Sequence, residues 1–593
     1  MDRLRAQIRD IRCLVAGGKD FFIPLHSLYT LVTEAIVRDA LSVSSIEWYR
    51  IDGITDKIYP GGRRIFAILV MLDGRIAEIT RFIELDNLQD SPIDHKLPFS
   101  EQDLRMLVPS IAEDFYRLQW EFCAPILSTG VEHRFLDLRT VLPFTENTKI
   151  GEGGLGEVFR ISIHPDHQNM AMILPSESKG LVRKQTSEIM HDSDSRYENE
   201  LRSLSLLNQL EHPNISRLLS FYTYQRRRNF IFPLAQGGDL DKLFEKDPPP
   251  SDFREHFSFY KALSRLSSAL EMVHDYTTAK KVDLRLIGLH RDLKPNNILV
   301  DGDEFILSDF GFSSFKPATE LSRTPFKRGG ADYLAPECED LDDSFRSGIV
   351  SRPSDIWSFG CIMLEVLVYM LQGQQGVQIF RKERRFKPWH MGTFHMPGLI
   401  LNGSVTRLLD ALDSDLRRPV QQLTRLIRKI FAISPEERPK AAQITSELQF
   451  ITLNELLGPI SKKYANTVSL TKSIQARLEF GRFQSWKYVL NFIDEQQNEA
   501  HESNPLRTNF DESLALLQKV RSELALTQER HDSMAFPTFY ELRSLNDCLV
   551  ESLPVHYQNQ AISFLDIFLC NDDTFRPGKS LQGLDDSGCS TTT

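Results

Sequence analysis

The fold of this chain is decided by two short stretches, His290-Arg-Asp-Leu-Lys-Pro-Asn-Asn297 and Asp309-Phe-Gly311, the second beginning seventeen positions after Asp292. Asp292 is a carboxylate that can act as a base toward a hydroxyl group. Asn297 and Asp309 offer hard oxygen atoms of the kind that bind Mg²⁺. The pairing of the two motifs predicts that the three groups come together on loops that follow short β segments. Phosphoryl transfer needs such an arrangement, because it depends on positioning and on the stabilisation of charge.

These motifs resemble the catalytic and metal-binding loops of eukaryotic protein kinases. The resemblance implies a two-lobed α+β kinase fold with flanking, mostly helical regions. It also implies that Asp292 accepts or orients the proton of a substrate hydroxyl, that Lys294 neutralises charge on the γ-phosphate of ATP, and that Asn297 and Asp309 hold Mg²⁺. A lysine two positions after the catalytic aspartate resembles the serine/threonine kinases. His290 and Phe310 are expected to pack together and hold the two loops in register.

A glycine-rich element precedes these motifs and fits a nucleotide-binding loop. Its spacing is G-x-G-x-x-G-x-V, and the predicted ATP-binding residues are Gly151, Glu152, Gly153, Gly154, Leu155, Gly156 and Val158. Glycines let the backbone approach phosphates closely. The pattern alone is weak, since a tight hairpin without a ligand explains it about as well. The alternation over residues 157–163 predicts a strand, which favours the kinase loop over a dinucleotide fold.

The lysine that should bind the α- and β-phosphates is matched most loosely. Lys184, in Leu181-Val-Arg-Lys184, is the preferred candidate, and Lys179 is the competitor. A polar insertion of about residues 164–180 precedes it. In the family this lysine pairs with a helical glutamate, for which Glu200 is the candidate, while Glu198 should face the opposite side of the helix. A solvated helix face is the alternative for either glutamate.

The segment Asn229–Leu240 resembles the connection between the two kinase lobes. The resemblance implies that Phe232 is the gatekeeper residue, that Asp239 accepts hydrogen bonds from the ribose of ATP, and that Leu299 contributes to the nucleotide site. A helix N-cap is an equally good account of Asp239.

Further motifs predict a structural frame and a regulatory segment. The kinase resemblance implies that Glu337 of Ala335-Pro-Glu337 and Arg438 form a buried ion pair, and that Asp355 anchors the backbone of the catalytic loop. Ser322 and Thr324 are candidate phosphorylation sites on the activation segment. Gly330 stands where such kinases usually carry a threonine, which puts the order of the substrate loop in doubt.

The bulk properties limit the class of protein. A length of 593 residues predicts two to four domains, and a net charge of −11 argues against a general nucleic-acid binder. Seven widely scattered cysteines predict reduced thiols and an intracellular protein, cytoplasmic or nuclear. The apolar run Phe359–Leu371 is too short for a membrane span and is expected to be a buried helix. The basic cluster at 381–387 is expected to be a solvated loop, with a nuclear signal as the alternative.

The chain is expected to divide into several regions. A mostly helical module of unknown function spans 1–143 and resembles N-terminal extensions of kinases that are common in filamentous fungi. The kinase domain spans 145–456, with lobes at about 145–235 and 236–456. A helical extension follows over 457–570, and the polar tail 571–593 is expected to be disordered. Residues 65–72 fit a helix or a buried strand.

Two alternatives to an active kinase remain at this level. The first is a pseudokinase or scaffold that binds nucleotide without efficient transfer. The second is a signalling protein that works through its N-terminal module, with kinase activity secondary. The sequence predicts ATP and a protein substrate as partners, with no nucleic acid and no membrane, and leaves the oligomeric state open.

Overall fold

The structure is a computed structural model. It describes residues 1–73, 75–85, 92–130, 133–153, 156–170, 180–186, 195–209, 212–278, 284–317, 324–325, 331–338, 349–385, 392–396 and 400–460. These residues form two compact units. The first contains 1–195 and 217–234, and the second contains 196–216 and the described residues from 235 onward.

Helices dominate the beginning of the first unit. They are α1 Asp2–Asp10, α2 Leu25–Leu31, α3 Glu34–Ser42, α4 Ile51–Gly61, α5 Arg63–Met71, α6 Ile79–Glu84, α7 Glu101–Leu107 and α8 Ala112–Phe122. Their apolar faces build one core around α5, in which Ile65–Val70 are all buried. Burial on every side explains why periodicity could not separate helix from strand at residues 65–72. Helices α2 and α3 are separated at Val32 and Thr33, and the Thr33 side chain caps α3.

The rest of the first unit is mainly β structure. Its strands are β1 Cys13–Leu14, β2 Phe21–Phe22, β3 Arg134–Phe135, β4 Phe144–Gly153, β5 Gly156–Ile163, β6 Leu181–Thr186, β7 Ser220–Tyr224 and β8 Arg227–Pro233. A six-stranded sheet has the order β3-β7-β8-β6-β5-β4. All of its neighbouring strands are antiparallel except β3 and β7, which are parallel. The strand predicted over residues 157–163 is therefore confirmed.

The segment after β5 attaches the helices to this sheet. Asp166 Oδ2 accepts hydrogen bonds from the backbone amides of His26 and Ser27 at 2.9 and 3.3 Å, where α2 begins. The ring of the buried His167 bonds to the carbonyl oxygen of Ile23 at 3.2 Å through Nε2. The amide of Ala16 donates to the carbonyl of Phe144, the first residue of β4, at 2.8 Å. The start of the predicted polar insertion is thus a contact surface for the N-terminal helices.

The second unit is mostly helical. Its helices are α9 Ser195–Leu207, α10 Leu240–Phe244, α11 His256–His274, α12 Arg352–Arg384, α13 Gly403–Asp413, α14 Arg418–Ile430 and α15 Ala441–Ile460. Its short strands are β9 Gly238–Asp239, β10 Tyr276–Thr278, β11 Leu284–Leu289, β12 Ile298–Asp301, β13 Glu304–Leu307, β14 Ser314–Pro317, β15 Thr324–Pro325, β16 Ile349–Val350, β17 His395–Met396 and β18 Ile400–Leu401. Together the two units give the α+β class that the sequence predicts.

Helix α12 is the centre of the second unit. It contains the apolar run 359–371, and the residues from Phe359 to Met370 are all buried, which confirms the buried-helix prediction. By length and composition alone it would also pass as a membrane span, but most of its apolar stretch is buried in the fold. The helix bends at Gly373, where φ is 66° and ψ is −161°.

The described part of the basic cluster, residues 381–385, contradicts its prediction, because most of it is not a solvated loop. Residues 381–384 continue α12, the Arg384 side chain is buried, and the Arg381 guanidinium forms ion pairs. Local composition counts charges and takes no account of a buried partner elsewhere in the chain. Among the described residues, Cys13, Cys123, Cys338 and Cys361 are free thiols. The predicted helices of 457–570 beyond residue 460, and the tail 571–593, lie outside the described residues.

Candidate active site

The backbone of the catalytic loop is held by one buried carboxylate. Asp355, near the start of α12, accepts hydrogen bonds from the amides of His290 and Arg291 at 2.7 and 2.8 Å. The His274 ring approaches the same carboxylate at 3.2 Å. Burial pushes the pKa of Asp355 up, but the hydrogen bond and charge of His274, followed by the charge of His290 and the Arg291 amide, outweigh it and lower the pKa. Asp355 therefore stays ionised and fixes the loop, as the sequence predicts.

This anchor holds an unusual backbone conformation. Arg291 has a φ of 73°, which is uncommon for a residue with a side chain. Its two neighbours are constrained by the Asp355 contact and by the burial of Asp292. Burial also lowers the pKa of the Arg291 guanidinium. The surroundings therefore impose the turn that leads into Asp292.

Three of the predicted site residues meet at Asp292. Its Oδ2 atom accepts hydrogen bonds from Lys294 Nζ at 2.8 Å and from Asn297 Nδ2 at 2.9 Å. Asn297 Nδ2 also donates to the carbonyl oxygen of Asp292 at 2.7 Å. Both donors hold the carboxylate in one orientation, and Asp292 and Asn297 are buried while Lys294 is partly exposed. Because Nδ2 makes these bonds, the Oδ1 atom of Asn297 is the one left to bind a ligand.

A second set of bonds fixes the loop of Asp309 to the catalytic loop. The amide and the hydroxyl of Ser308 both donate to the carbonyl oxygen of Asn297, at 3.0 and 2.9 Å. His290 Nε2 bonds to the carbonyl oxygen of Ser308 at 2.9 Å, and its ring lies 5.0 Å from that of Phe310 in an edge-to-face arrangement. The packing role predicted for His290 and Phe310 is thus what the structure has. Asp309 itself is in the left-handed region, with φ 59° and ψ 72°.

The donor set near these loops fits a magnesium ion that keeps water and nucleotide ligands. Asn297 and Asp309 offer oxygen atoms, and Mg²⁺ in nucleotide sites commonly takes only one or two protein carboxylates or amides. No cluster of three or more His, Cys, Asp or Glu side chains suited to a metal occurs among the described residues. A fully protein-bound metal site therefore has no support in this part of the chain.

The glycine-rich element lies in the first unit, on the hairpin of β4 and β5. Gly151 is opposite Val158, and Gly153 is opposite Gly156. Glu152 is exposed, and its carboxylate pairs with Lys149 at 2.7 Å. Gly154 and Leu155 lie outside the described residues. The described residues of this element form a β-hairpin, as the hairpin alternative predicts. A kinase nucleotide loop also joins two strands, so the geometry fits both interpretations.

The fold requires glycine at Gly156 but not at Gly151. At Gly156, with a φ of 147°, an added Cβ would lie 2.1 Å from the carbonyl oxygen of Gln185 on β6, so the fold itself requires glycine. At Gly151 an added Cβ would meet only the Cβ of Val158, at 3.8 Å, which is an ordinary contact. The fold tolerates a side chain at Gly151, so a hairpin alone does not account for its glycine.

Lys184 lies at the middle of the six-stranded sheet. On β6 it is opposite Val158 of β5 and Phe230 of β8. The rival Lys179 lies outside the described residues. Glu200 is buried on α9 of the second unit, and the side chain of Glu198 is not described. The pairing of Lys184 with Glu200 stays a prediction.

The two residues predicted beside the nucleotide are neighbours on a small sheet. Asp239 of β9 is opposite Leu299 of β12. The Asp239 side chain accepts a hydrogen bond from the amide of Lys242 at 3.0 Å and so caps α10. The N-cap alternative is therefore confirmed, and the second oxygen, Oδ2, lies only 3.7 Å from Lys242 Nζ.

The activation segment is described only in part. Glu337 and Arg438 form the predicted ion pair, with the Arg438 side chain fully buried. Thr324 lies on β15, opposite Val350 of β16, but its side chain is not described. Ser322 and Gly330 lie outside the described residues.

A buried cluster that the sequence did not predict lies under this segment. Glu365 of α12 is fully buried and binds Arg381, Arg384 and the hydroxyl of Tyr333. Burial, then the charge of Glu365, raises the pKa of Tyr333. The signal in the sequence was a glutamate within an apolar run, which calls for a buried cation as partner.

Comparisons with known proteins agree with this geometry. The family model described as "Protein kinase domain" matches residues 144–450, just over half of the chain. The chain is similar to serine/threonine-protein kinase BIK1 of Arabidopsis thaliana, 26% identical over 56% of this chain and 77% of that protein. It is also 27% identical to L-type lectin-domain containing receptor kinase V.8 of Arabidopsis thaliana, over 40% of this chain and 34% of that protein. The chain thus spans about a third of the length of that receptor kinase.

Proposed function

Because this chain belongs to the protein kinase family, we propose that it is an active serine/threonine kinase, which transfers the γ-phosphate of Mg·ATP to a hydroxyl of a protein. The observation that carries the proposal is the Asp292 carboxylate, which both Lys294 and Asn297 hold through hydrogen bonds. The serine/threonine assignment is supported by Lys294 and by the similarity to serine/threonine-protein kinase BIK1 of Arabidopsis thaliana.

The proposed chemistry uses the residues of the second unit as follows. Asp292 orients the substrate hydroxyl and accepts its proton. The hydrogen bonds from Lys294 and Asn297 to its Oδ2 atom hold the carboxylate in one orientation for this role. Lys294, which is partly exposed, can leave Asp292 to neutralise charge on the phosphate being transferred. Asn297 Oδ1 and the Asp309 carboxylate would hold Mg²⁺, which offsets phosphate charge when it is bound.

Residues of the first unit would bind the nucleotide. The hairpin of β4 and β5 offers backbone N–H groups, and the absence of a fold requirement at Gly151 supports a role in close approach to phosphates. Lys184 would bind the α- and β-phosphates. In the second unit, Asp239 Oδ2 and Leu299 would contact the ribose and the base.

The decisive experiment compares the purified chain with its Asp292→Asn variant in the transfer of radiolabelled phosphate from Mg·ATP to itself and to a generic protein substrate. We expect transfer by the native chain and a loss of at least about a thousandfold in the variant. Nucleotide binding without transfer by the native chain would instead support a pseudokinase or scaffold. Gly330, in place of the usual threonine, is the observation that favours that alternative.

We further propose that phosphorylation of Thr324 or Ser322 activates the enzyme. Arg291, next to the catalytic aspartate, is a candidate to bind the phosphate, which would order the segment. Phosphatase treatment should lower activity, and Thr324→Ala or Ser322→Ala should reproduce the loss. Full activity in all three cases would refute the switch.

A further inference from the structure

A polar cleft of about 370 Å³ opens beside the catalytic loop in the second unit. Its lining includes Asn296, which lies between Lys294 and the Mg²⁺ candidate Asn297 in the sequence. A protein segment that presents a hydroxyl to Asp292 therefore lies next to this cleft. The cleft can therefore bind substrate residues that flank the phosphorylated position.

Charged side chains line the cleft. Three are carboxylates, those of Asp239, Asp241 and Glu245, and two are cations, those of Lys242 and Arg381. The described lining therefore carries one net negative charge. Carboxylates at such a position attract basic side chains unless a cation of the protein itself occupies them.

Arg381 is that cation. Its Nη2 atom donates to Asp241 Oδ1 at 2.6 Å and to Glu365 Oε2 at 2.6 Å, and its Nε atom donates to Glu365 Oε1 at 3.0 Å. Glu365 is fully buried, so the guanidinium is fixed, and the same Nη2 atom that binds Glu365 also holds Asp241 at the cleft. Arg381 reaches this place because α12 bends at Gly373 and then continues as a helix.

Removing Arg381 would change the charge of the cleft. Glu365 would keep Arg384 at 2.7 Å and the Tyr333 hydroxyl at 2.9 Å. Asp241 would lose the guanidinium that holds it, and the lining would carry two net negative charges. The substitution thus exposes a carboxylate to the substrate while a second cation still neutralises the buried glutamate.

We infer that Arg381 is a specificity-determining residue, which pairs with Asp241 and lowers the negative charge of the cleft beside the catalytic loop, so that the enzyme does not select basic residues there. This inference rests on the proposed kinase activity. According to this inference, the native chain phosphorylates substrates whose residue in the cleft is uncharged. The contact between that residue and the cleft then determines which substrates are selected.

The test uses serine peptides in which each flanking position in turn carries arginine, glutamine or glutamate, with the full chain as enzyme. For the native chain we expect kcat/KM for arginine and glutamine to agree within about twofold at every position. Arg381→Gln should favour arginine about fivefold at one or two positions, the size of an exposed ion pair. Lys382→Gln, an exposed neighbour on the same helix that loses the same charge, should behave as the native chain does.

A second variant covers the case in which Arg381→Gln fails to fold. Glu245 is exposed, so Glu245→Lys should fold normally and shift selection toward glutamate. A native profile in folded Arg381→Gln, an unchanged profile in Glu245→Lys, or strong arginine selection by the native chain would each overturn the inference.

A binding measurement separates this inference from the kinase proposal. Fluorescence anisotropy of labelled alanine-for-serine peptides, with arginine or with glutamine, needs no phosphate transfer. Tighter binding of the arginine peptide by Arg381→Gln, in a chain that transfers no phosphate, would support the inference and refute the kinase proposal. Transfer to serine peptides with no change in either binding or selection would do the reverse.

Discussion

Arg438 binds Glu337 through two parallel hydrogen bonds, Nη1 to Oε1 and Nη2 to Oε2, each of 2.8 Å. The remaining donors of the guanidinium reach the carbonyl oxygens of Ala432, Pro353 and Ile433. The Arg438 side chain is fully buried and lies 5.0 Å above the ring of Trp357. The end of the activation segment is therefore fixed to the core of the second unit.

Loss of this pair should destabilise the fold. Arg438→Met leaves the Glu337 carboxylate without its cation, and we expect the free energy of unfolding to fall by about 3–5 kcal/mol. Arg417→Met is the matched control, because Arg417 pairs with Asp415 at the surface and should cost only about 0.2–1 kcal/mol. Thermal unfolding of the two variants measures the difference. Equal losses would show that the buried pair does not hold the segment.

Asp309→Asn tests the proposed metal ligand. Asparagine tolerates the left-handed conformation that Asp309 has, so the substitution removes the charge and leaves the backbone as it is. We expect transfer to be abolished and the Mg²⁺ concentration for half-maximal ATP binding to rise at least about tenfold. Asp303→Asn, in the turn between β12 and β13, serves as the control. Undiminished turnover at saturating Mg²⁺ would rule out this role for Asp309.

Lys184→Met tests which lysine serves the nucleotide. Lys184 lies opposite Val158 and Phe230 in the centre of the sheet. In the proposed site it is the lysine that binds the α- and β-phosphates. We expect a loss of transfer on the order of a hundredfold or more, with the fold retained. Lys179→Met is the comparison and should retain nearly full activity. A greater loss at Lys179 would mean that the insertion before β6 is shorter than the sequence suggests.

Much of the second unit could be predicted from the sequence, because its key contacts join residues within motifs. One such contact joins Asp355 to the amides of His290 and Arg291. The other is the ion pair of Glu337 with Arg438. The cluster of Glu365 with Arg381 could not be predicted in this way. Its partners are brought together by the bend at Gly373. The residues next to Arg381 in the sequence are mostly charged, which indicates an exposed side chain.

The first unit shows two further limits of sequence patterns. Helix α5 is buried on every side, so its apolar run has no polar face to reveal the period. The contact of Asp166 with His26 and Ser27 joins residues about 140 positions apart. In the sequence, Asp166 has the features of an ordinary loop residue, and His26 and Ser27 those of residues at the start of a helix. Their contact is visible only in the folded structure.

The buried His395 predicts a dependence of stability on acid. Burial, the largest cause, lowers its pKa to about 4 from 6.5, so the folded chain binds this proton less well than the unfolded chain does. The resulting stability is fully present above pH 6.5 and is lost as the pH falls toward 4, by at most about 3 kcal/mol. His395→Gln does not titrate, so the difference in melting temperature between native chain and variant should shrink from pH 7 to pH 5. A difference that is independent of pH would contradict this.

Asp166→Ala should loosen the N-terminal helices from the sheet of the first unit. Asp166 caps the first amides of α2, those of His26 and Ser27, and the neighbouring His167 holds the carbonyl of Ile23. Removing the carboxylate leaves two amides without their acceptor, and we expect a loss of about 1–2 kcal/mol and faster proteolysis within residues 1–143. Asp114→Ala is the control, since it removes only an exposed ion pair with Arg117. If both variants are cleaved at the native rate, this contact does not secure the helices, and the bond between Ala16 and Phe144 must be tested in its place.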